Sequence, residues 1–386
     1  MPDFPVHGYT APGFEAVRAA FTANFTQGIE VGASLCVRKD DEDLVNLWGG
    51  YQDSACERPW QQDTLVNLYS TTKGIAAIGF ATLVEDGLLG YDDAVKDLWP
   101  ELRAAQDGLT IGQLLSHQSG VPGVSVPVTV DDMYDWDKMI GLLAAQEPYW
   151  PPGSAAGYHA IHWGYLVGEL VLRASGKTLG SLLAERITQP LDADFHLGLA
   201  DSEHHRVADL IGPNRAREAK GLPPPDTSVP RLPALFPVAL MNPSIRPWKD
   251  ACSADWRRAE IAAANGHGNG ASIARIYAAV AGADNSVLSA ATLAAANRQE
   301  VAMTEDLILA KPMRRSRGFI LNTNNEYGPT QTAFGHAGAG GSLGFADPEY
   351  GIGFGYAMNQ MQPGVVEKTR ADLLVAATYA ALDSAS

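Results

Sequence analysis

The sequence has few of the features that mark exported, membrane or disulfide-rich proteins. Its 386 residues include three cysteines, Cys36, Cys56 and Cys252, whose spacing matches neither a disulfide framework nor a metal site. No apolar run reaches the 18 or so residues that read as a membrane helix. The N-terminus shows no basic stretch followed by an apolar one, so we expect no signal peptide and a cytoplasmic location.

Positive charge is also scarce in this chain. There are 28 lysines and arginines against 44 aspartates and glutamates, which gives a formal net charge of −16. Phosphate backbones and anionic membranes repel such a protein, so we expect neither nucleic acid nor membrane as a partner. The chain is 46% hydrophobic and long enough for a large core and more than one lobe.

Strand-like segments lie at both ends of the chain and helical patterns fill the middle. We predict strands over Val31 to Lys39 and Leu44 to Gln52, and several more between residues 317 and 360. The pattern predicts an α+β fold, in which one antiparallel sheet built from both chain ends is flanked by terminal helices and carries an inserted helical domain. We expect residues 1–68 and 265–386 to form the sheet domain and residues 69–264 the helical domain.

A proline-rich stretch, residues 209–250, interrupts the helical part of the sequence. Its length and weak periodicity predict a structured excursion or flap, and a linker is the alternative. Phe236, Met241 and Trp248 in this stretch are candidate walls of a substrate pocket, as is Tyr69 elsewhere. Ordinary packing anchors are the alternative interpretation of these four side chains.

The tetrad Ser70-Thr71-Thr72-Lys73 is the first chemical pattern. A strand-like run ends at Tyr69 and a helical pattern begins at Ser70, so Lys73 lies one turn later on the same face. A serine nucleophile needs a nearby base, and a lysine serves when desolvation or nearby positive charge lowers its pKa. The helix N-terminus also directs N–H groups toward a developing oxyanion. The alternative is a capping serine followed by a surface lysine.

Tyr158 is the second candidate. It lies on a loop that follows Pro152-Gly153, just before a predicted helix. A phenol near a lysine ammonium loses its proton more easily and can then act as a base toward a serine hydroxyl. His159 and His162 are rivals for that role, although nothing in the sequence orients either ring, and a buried structural tyrosine is the alternative for Tyr158.

The glycine-rich segment from Phe334 to Gly344 is the third candidate. A strand edge this rich in glycine lets a ligand approach the backbone, whose N–H groups would form one half of an oxyanion hole with Ser70 as the other half. A glycine-rich bulge is the alternative. Residues 340–344 also match G-x-S-x-G around Ser342, but that elbow requires a following helix, and a turn and a strand are predicted there instead.

Together these motifs resemble those of the serine β-lactamase and penicillin-binding-protein superfamily. S-T-T-K at 70–73, Tyr158 after P-G-S and H-A-G at 336–338 come in that superfamily's order, and the segment 114–123 is similar as well. Within it the chain looks most like family VIII carboxylesterases. The resemblance implies Ser70 as nucleophile, Lys73 and Tyr158 as the basic pair, and the Ser70 and Ala339 N–H groups as oxyanion hole. It also implies His336 and Gly338 at the substrate.

Two departures from the β-lactamase pattern suggest the substrate class. Ala160 stands where that pattern has asparagine, and His336 replaces the lysine that faces a substrate carboxylate. Both changes favour neutral esters, so we expect a serine carboxylesterase acting on short-chain acyl or aryl esters through an acyl-serine intermediate, without metal or cofactor. A β-lactamase, D-amino peptidase or acyltransferase is the first alternative, and a non-catalytic binding protein is the second. The sequence leaves the oligomeric state open.

Overall fold

The computed structural model describes residues 4–213, 232–282, 287–362 and 369–385. The strands run in chain order as β1 Val6–Thr10, β2 Gly32–Lys39, β3 Glu42–Gly50, β4 Val66–Asn67, β5 His267–Gly268, β6 Val301–Met303, β7 Met313–Arg315, β8 Ile320–Leu321, β9 Phe334–Ala337, β10 Leu343–Asp347 and β11 Ile352–Met358. The α-helices are α1 Glu15–Thr26, α2 Thr71–Glu85, α3 Val95–Leu98, α4 Ile111–Leu115, α5 Trp136–Ala145, α6 Trp163–Ser175, α7 Leu179–Leu183, α8 Phe236–Leu240, α9 Ala254–Arg258, α10 Gly270–Ala278, α11 Ala290–Asn297 and α12 Thr369–Ala385.

Within the described residues, nine strands form one sheet in the order β1-β3-β2-β11-β10-β9-β8-β7-β6, and every neighbouring pair is antiparallel. The centre of the sheet joins the two chain ends, since β2 pairs with β11 from Ala33↔Met358 to Lys39↔Ile352. The predicted hairpin between β2 and β3 forms at the acidic tract, where Asp40 adopts a left-handed φ of 50°. The sequence pattern missed β1, β6 and β7, which are short or lack alternation.

Each face of the sheet is covered by helices. On one face, α1 and α12 pack through buried aromatic and aliphatic residues such as Phe21, Phe25 and Leu374. On the other face, α10 lies against β11 so closely that a side chain at Gly353 or Gly355 would clash with its backbone. The central helix α2 shares its core with α10 and with α6, so it joins the sheet to the helical region.

The helical region spans α2 to α9, broadly as predicted, with several shorter turns of helix. The 3₁₀ and π segments are Arg103–Ala105, Asp131–Tyr134, Ala184–Thr188, Asp201–Arg206 and Asp250–Cys252. A short pair of strands, β4 and β5, ties the start of α2 to the segment that returns to the sheet. Helix α2 packs against both the sheet side and the helical region. The division of the chain into two domains at residues 69 and 264 therefore stays a proposal.

Part of the proline-rich stretch predicted over 209–250 lies outside the described residues, including its triple proline at 223–225 and Pro230. So do residues 365–368 of the predicted C-terminal helix. The described remainder of the stretch contains α8 and packs against the helical region, with Asn242 donating to the carbonyls of Val124 and Val126. Among the described helices, none combines the length and the apolar character needed to cross a bilayer.

Candidate active site

Ser70 lies at the N-terminus of α2, directly after β4. The preceding residue, Tyr69, adopts a left-handed φ of 46°, which costs a non-glycine residue on the order of 1 kcal/mol or more. Two contacts hold it there: its hydroxyl donates to the Pro247 carbonyl at 2.7 Å, and its ring lies 6.1 Å from that of Trp256. This sharp turn leaves the Ser70 side chain half-buried at the end of an otherwise buried helix.

The Lys73 amine lies one helical turn from Ser70, and its Nζ is 3.1 Å from the Ser70 Oγ. Nζ also donates to the carbonyls of Ala160 at 2.7 Å and Ala263 at 2.9 Å. The side chain is fully buried. Burial, followed by the nearby positive charge of Arg315, holds the pKa of Lys73 well below its usual value, because both disfavour the ammonium form.

The Tyr158 hydroxyl donates to the Ser70 Oγ at 2.6 Å. Its ring lies 4.9 Å from the Lys73 Nζ and 5.2 Å from the imidazole of His117. Burial raises the pKa of Tyr158 above that of an ordinary tyrosine. The structure therefore places a neutral phenol and a weakly basic amine against one serine hydroxyl.

A buried ion pair behind Tyr158 fixes the position of its loop. Asp306 accepts from the backbone N–H groups of Tyr158, Ile308 and Leu309, at 3.1, 2.9 and 2.8 Å, and pairs with Arg315 at 2.6 Å. Asp306 and Arg315 are both almost completely buried. Neither residue is predicted from the sequence, since an aspartate in a loop and an arginine in a three-residue strand carry no recognisable motif.

The two histidines after Tyr158 lie away from Ser70. His159 bridges the Ser119 hydroxyl at 2.7 Å and the Gly157 carbonyl at 2.6 Å, and burial lowers its pKa to about 3. Burial likewise lowers the pKa of His162 to about 4. Neither ring forms a hydrogen bond with Ser70, so the geometry favours Lys73 and Tyr158 over these rivals.

The turn after β9 brings a second backbone donor to the site. Gly338 lies so close to the Leu68 carbonyl that a Cβ there would meet its oxygen at 2.2 Å, and Gly340 and Gly341 adopt φ values of 89° and 120°. Both Ser70 and Ala339 line the same cavity. Within the described part of the chain, neither of their backbone N–H groups donates to another backbone carbonyl.

That cavity has a volume of about 190 Å³ and lies over Ser70 between the sheet and the helical region. Its walls combine aromatic and aliphatic side chains with a few polar ones. The lining residues are Tyr69, Ser70, Tyr158, Ala160, Ile161, Leu240, Ile245, Pro247, Leu309, Lys311, Met313, Ile320, Glu326, His336, Ala337 and Ala339. A mostly apolar cleft with a few directed polar groups is the usual form of a small-molecule site.

Comparison with known proteins identifies the family. Residues 19–378 match the family model described as beta-lactamase. The chain belongs to the β-lactamase family. The predicted resemblance and the α+β fold of the β-lactamase and transpeptidase type are thereby confirmed.

Individual similar proteins align with almost the whole chain. A solved structure of a family VIII carboxylesterase is 40% identical with a TM-score of 0.88, over 98% of this chain and 100% of that one. A penicillin-binding protein homologue from Caulobacter crescentus is 39% identical with a TM-score of 0.87, at the same coverage. The esterase/beta-lactamase LipL of Mycobacterium tuberculosis is 31% identical over 366 residues, which are 92% of this chain and 83% of LipL.

Three of the pocket walls expected for this β-lactamase-family chain lie outside the cavity lining. Met241 is 53% exposed and Trp248 is 46% exposed, whereas Phe236 packs beside Ala239 and Ile308. Their neighbours Leu240, Ile245 and Pro247 line the cavity instead. In a proline-rich segment without periodicity, the sequence does not indicate which side chains turn inward. The individual residues of this segment that line the cavity are therefore not predictable from the sequence.

Tyr69 and His336 line the cavity. His336 is buried, donates its Nδ1–H to the Ala337 carbonyl 2.7 Å away, and lies 6.0 Å from the Tyr158 ring. Gly338 lies behind the lining, at the close approach to Leu68. At Ala160, which replaces an asparagine of the β-lactamase pattern, the backbone carbonyl and not the side chain contacts Lys73.

Ser342, the serine of the G-x-S-x-G match, is 1% exposed. Its hydroxyl donates to the Leu68 carbonyl at 2.8 Å and lies 2.9 Å from the Thr71 Oγ1. After Ser342 the chain continues into strand β10 and not into a helix. A G-x-S-x-G nucleophile elbow needs a helix at this point, so the predicted absence of an elbow agrees with the structure. Ser342 thus holds the sheet against the strand–helix junction that presents Ser70.

Proposed function

We propose that this protein is a serine carboxylesterase that hydrolyses short-chain acyl or aryl esters through a covalent acyl-Ser70 intermediate. One observation carries the proposal: the Ser70 Oγ lies between the Lys73 Nζ at 3.1 Å and the Tyr158 hydroxyl at 2.6 Å, on the wall of an apolar cavity. The family VIII carboxylesterase at 40% identity and the esterase/beta-lactamase LipL support the reaction class.

Lys73 is the general base for acylation in this proposal. A neutral amine has two N–H donors and one lone pair, and the carbonyls of Ala160 and Ala263 can only accept. These two bonds use both donors and leave the lone pair for the Ser70 hydroxyl. Because burial and Arg315 lower the pKa of Lys73, the neutral form that this role requires is favoured.

Tyr158 is the proton donor to the leaving alcohol. Its raised pKa argues against a resting phenolate, which revises the expectation that Tyr158 itself takes the serine proton. As the Ser70 Oγ forms its bond to the ester carbon, the hydroxyl proton passes to Lys73. When the C–O bond of the ester breaks, the alkoxide takes the Tyr158 proton, and the proton held by Lys73 restores the phenol.

Deacylation reverses these transfers. A water molecule attacks the acyl carbon and gives up a proton to the Lys73–Tyr158 pair, and the Ser70 Oγ leaves and recovers a proton from it. The backbone N–H groups of Ser70 and Ala339 stabilise the oxyanion in both steps, since both line the cavity and neither donates to another backbone carbonyl among the described residues.

The Ser70→Ala variant tests this proposal with p-nitrophenyl butyrate as substrate. We expect hydrolysis to fall by a factor on the order of 10⁴ or more, because the nucleophile is removed. Circular dichroism and thermal melting should match the unsubstituted protein, since the Ser70 side chain is half-buried and small. Retention of full activity in a correctly folded variant would contradict the assignment.

β-Lactam hydrolysis is the second candidate function, favoured by the similarity to the esterase/beta-lactamase LipL and to the penicillin-binding protein homologue. His336 and the apolar lining give a substrate carboxylate less support than an ammonium would, so we expect nitrocefin turnover to be far slower than ester hydrolysis. Nitrocefin turnover faster than that of any short-chain ester would reverse this ranking. A cytoplasmic location stays a prediction, which cell fractionation tests.

A further inference from the structure

Two charged side chains lie on the wall of the reaction cavity, Lys311 and Glu326. They pair with each other at 3.3 Å, with side chains 23% and 19% exposed. The rest of the lining is apolar, aromatic or neutral, apart from the polar groups at Ser70 itself and His336. An ion pair beside such a cavity bears directly on which substrates the site accepts.

Lys311 lies on the same side of the cavity as the oxyanion turn, farther along the sheet. Strand β9 leads to that turn, β8 pairs with β9, and β7 pairs with β8. Neighbouring strands lie about 4.8 Å apart, so β7 is about 10 Å from β9. Lys311 lies two residues before the start of β7, and Met313 on β7 and Ile320 on β8 line the same wall of the cavity between it and Ala337.

We propose that Glu326 is a specificity-determining residue, which neutralises Lys311 and thereby restricts this cavity to esters without a negative charge. The inference rests on the proposed esterase function and names its substrate class. His336 supplies no ammonium near the oxyanion turn, so Lys311 is the cation among the lining residues that a substrate carboxylate would reach. Glu326 already pairs with the Lys311 ammonium, and its negative charge repels the carboxylate of a substrate.

Loss of the Glu326 charge has an opposite expected effect to loss of the Lys311 charge. In Glu326→Gln the lysine faces an apolar cavity without its partner and attracts a carboxylate. In Lys311→Gln the Glu326 carboxylate no longer has the lysine charge beside it and repels a substrate carboxylate. The double variant carries neither charge, so its preference should lie between those of the two single variants.

The experiment compares kcat/KM for p-nitrophenyl butyrate with kcat/KM for the p-nitrophenyl monoesters of succinic, glutaric and adipic acids. A second pair, phenyl butyrate and 4-carboxyphenyl butyrate, places the charge on the alcohol half. In the unsubstituted protein the neutral member of each pair should be preferred. In Glu326→Gln the anionic-to-neutral ratio should rise about fivefold or more for at least one pair, and in Lys311→Gln it should fall.

Glu185→Gln is the matched control. Glu185 also pairs with a lysine, Lys177, but it lies outside the cavity lining. The Glu185→Gln substitution changes the net charge of this acidic chain by the same amount as Glu326→Gln. If a smaller net charge simply weakened the repulsion of anionic substrates, the anionic-to-neutral ratio would rise in this control as well. We expect its anionic-to-neutral ratio to stay within about 1.5-fold of the unsubstituted protein, and the gain in Glu326→Gln to shrink in high salt.

An unchanged ratio in Glu326→Gln, or a shift in the same direction in both single variants, would overturn the inference. So would an unsubstituted protein that hydrolyses the anionic esters as fast as the neutral ones. The two proposals fail separately: a protein that does not hydrolyse p-nitrophenyl butyrate contradicts the esterase function, whereas hydrolysis with an unaltered ratio contradicts only the role of Glu326.

Discussion

Ser70 and Ser342 both lie in motifs of serine hydrolases, and they meet at one junction in the fold. Ser70 opens α2 and contacts an amine and a phenol, whereas Ser342 opens β10, donates to the Leu68 carbonyl and contacts Thr71. Ser70 faces a cavity, and Ser342 is 1% exposed. A hydroxyl becomes a nucleophile through its neighbours and its access to substrate, and a local sequence match supplies neither.

We expect the difference in reactivity between Ser70 and Ser342 to depend most on Lys73. In Lys73→Arg the positive charge is kept, but a guanidinium does not lose its proton in proteins and cannot act as the base. We expect kcat/KM for p-nitrophenyl butyrate to fall by a factor of about 10³ to 10⁴, to the level of Lys73→Ala. Activity of the arginine variant near that of the unsubstituted protein would show that charge alone suffices.

Tyr158→Phe removes the hydroxyl 2.6 Å from the Ser70 Oγ while keeping the ring beside His117. We expect kcat to fall by a factor of about 10² to 10³, because the leaving alkoxide loses its proton donor. The loss should be smaller for p-nitrophenyl esters than for ethyl esters, since a good leaving group needs less protonation. An equal loss for both leaving groups would argue against this role.

The pH dependence of kcat/KM should follow the amine of Lys73. The lowered pKa of Lys73 means that its neutral form persists to a pH well below the usual lysine range. Below that pKa the amine gains a proton and the base is lost, so kcat/KM should fall about tenfold for each further pH unit. Stopped assays across the acid range check this, and activity that rises toward low pH would contradict Lys73 as the base.

The smallest expected effect on catalysis is that of Ser342→Ala. Loss of its bonds to Leu68 and Thr71 should lower the free energy of unfolding by about 1 to 3 kcal/mol, while kcat/KM stays within about threefold. Ser384→Ala is the control, because that exposed hydroxyl donates to the Ala380 carbonyl within α12 and its loss should cost about 0.5 kcal/mol or less. Denaturant unfolding and ester assays separate stability from activity.

The same contrast explains how much of the molecule is predictable from sequence. Ser70 and Lys73 follow from helical periodicity, because residues one turn apart share a face. The sheet from both chain ends follows from strand-like alternation, as in β2, β3 and β11. Placement of Tyr158, Ala339 and Ser70 at one point depends on contacts between segments far apart in the chain, and here the family resemblance supplied what local patterns do not.

Other parts of the site have no local signal at all. Asp306 and Arg315 form a buried pair although they lie nine positions apart in the chain, and Lys311 and Glu326 meet because short strands bring their loops together. The cavity residues Leu240, Ile245 and Pro247 belong to a segment where proline interrupts any periodicity. Such residues are determined by tertiary packing, which propensity and motif do not encode.

The most direct test of Ser70 as the nucleophile is to label the protein with a fluorophosphonate probe, digest it, and locate the modified serine by mass spectrometry. The assignment predicts one phosphonylated residue, Ser70, and no labelling when Ser70→Ala is treated in the same way. Labelling at Ser342, or equal labelling of Ser70→Ala and the unsubstituted protein, would contradict it.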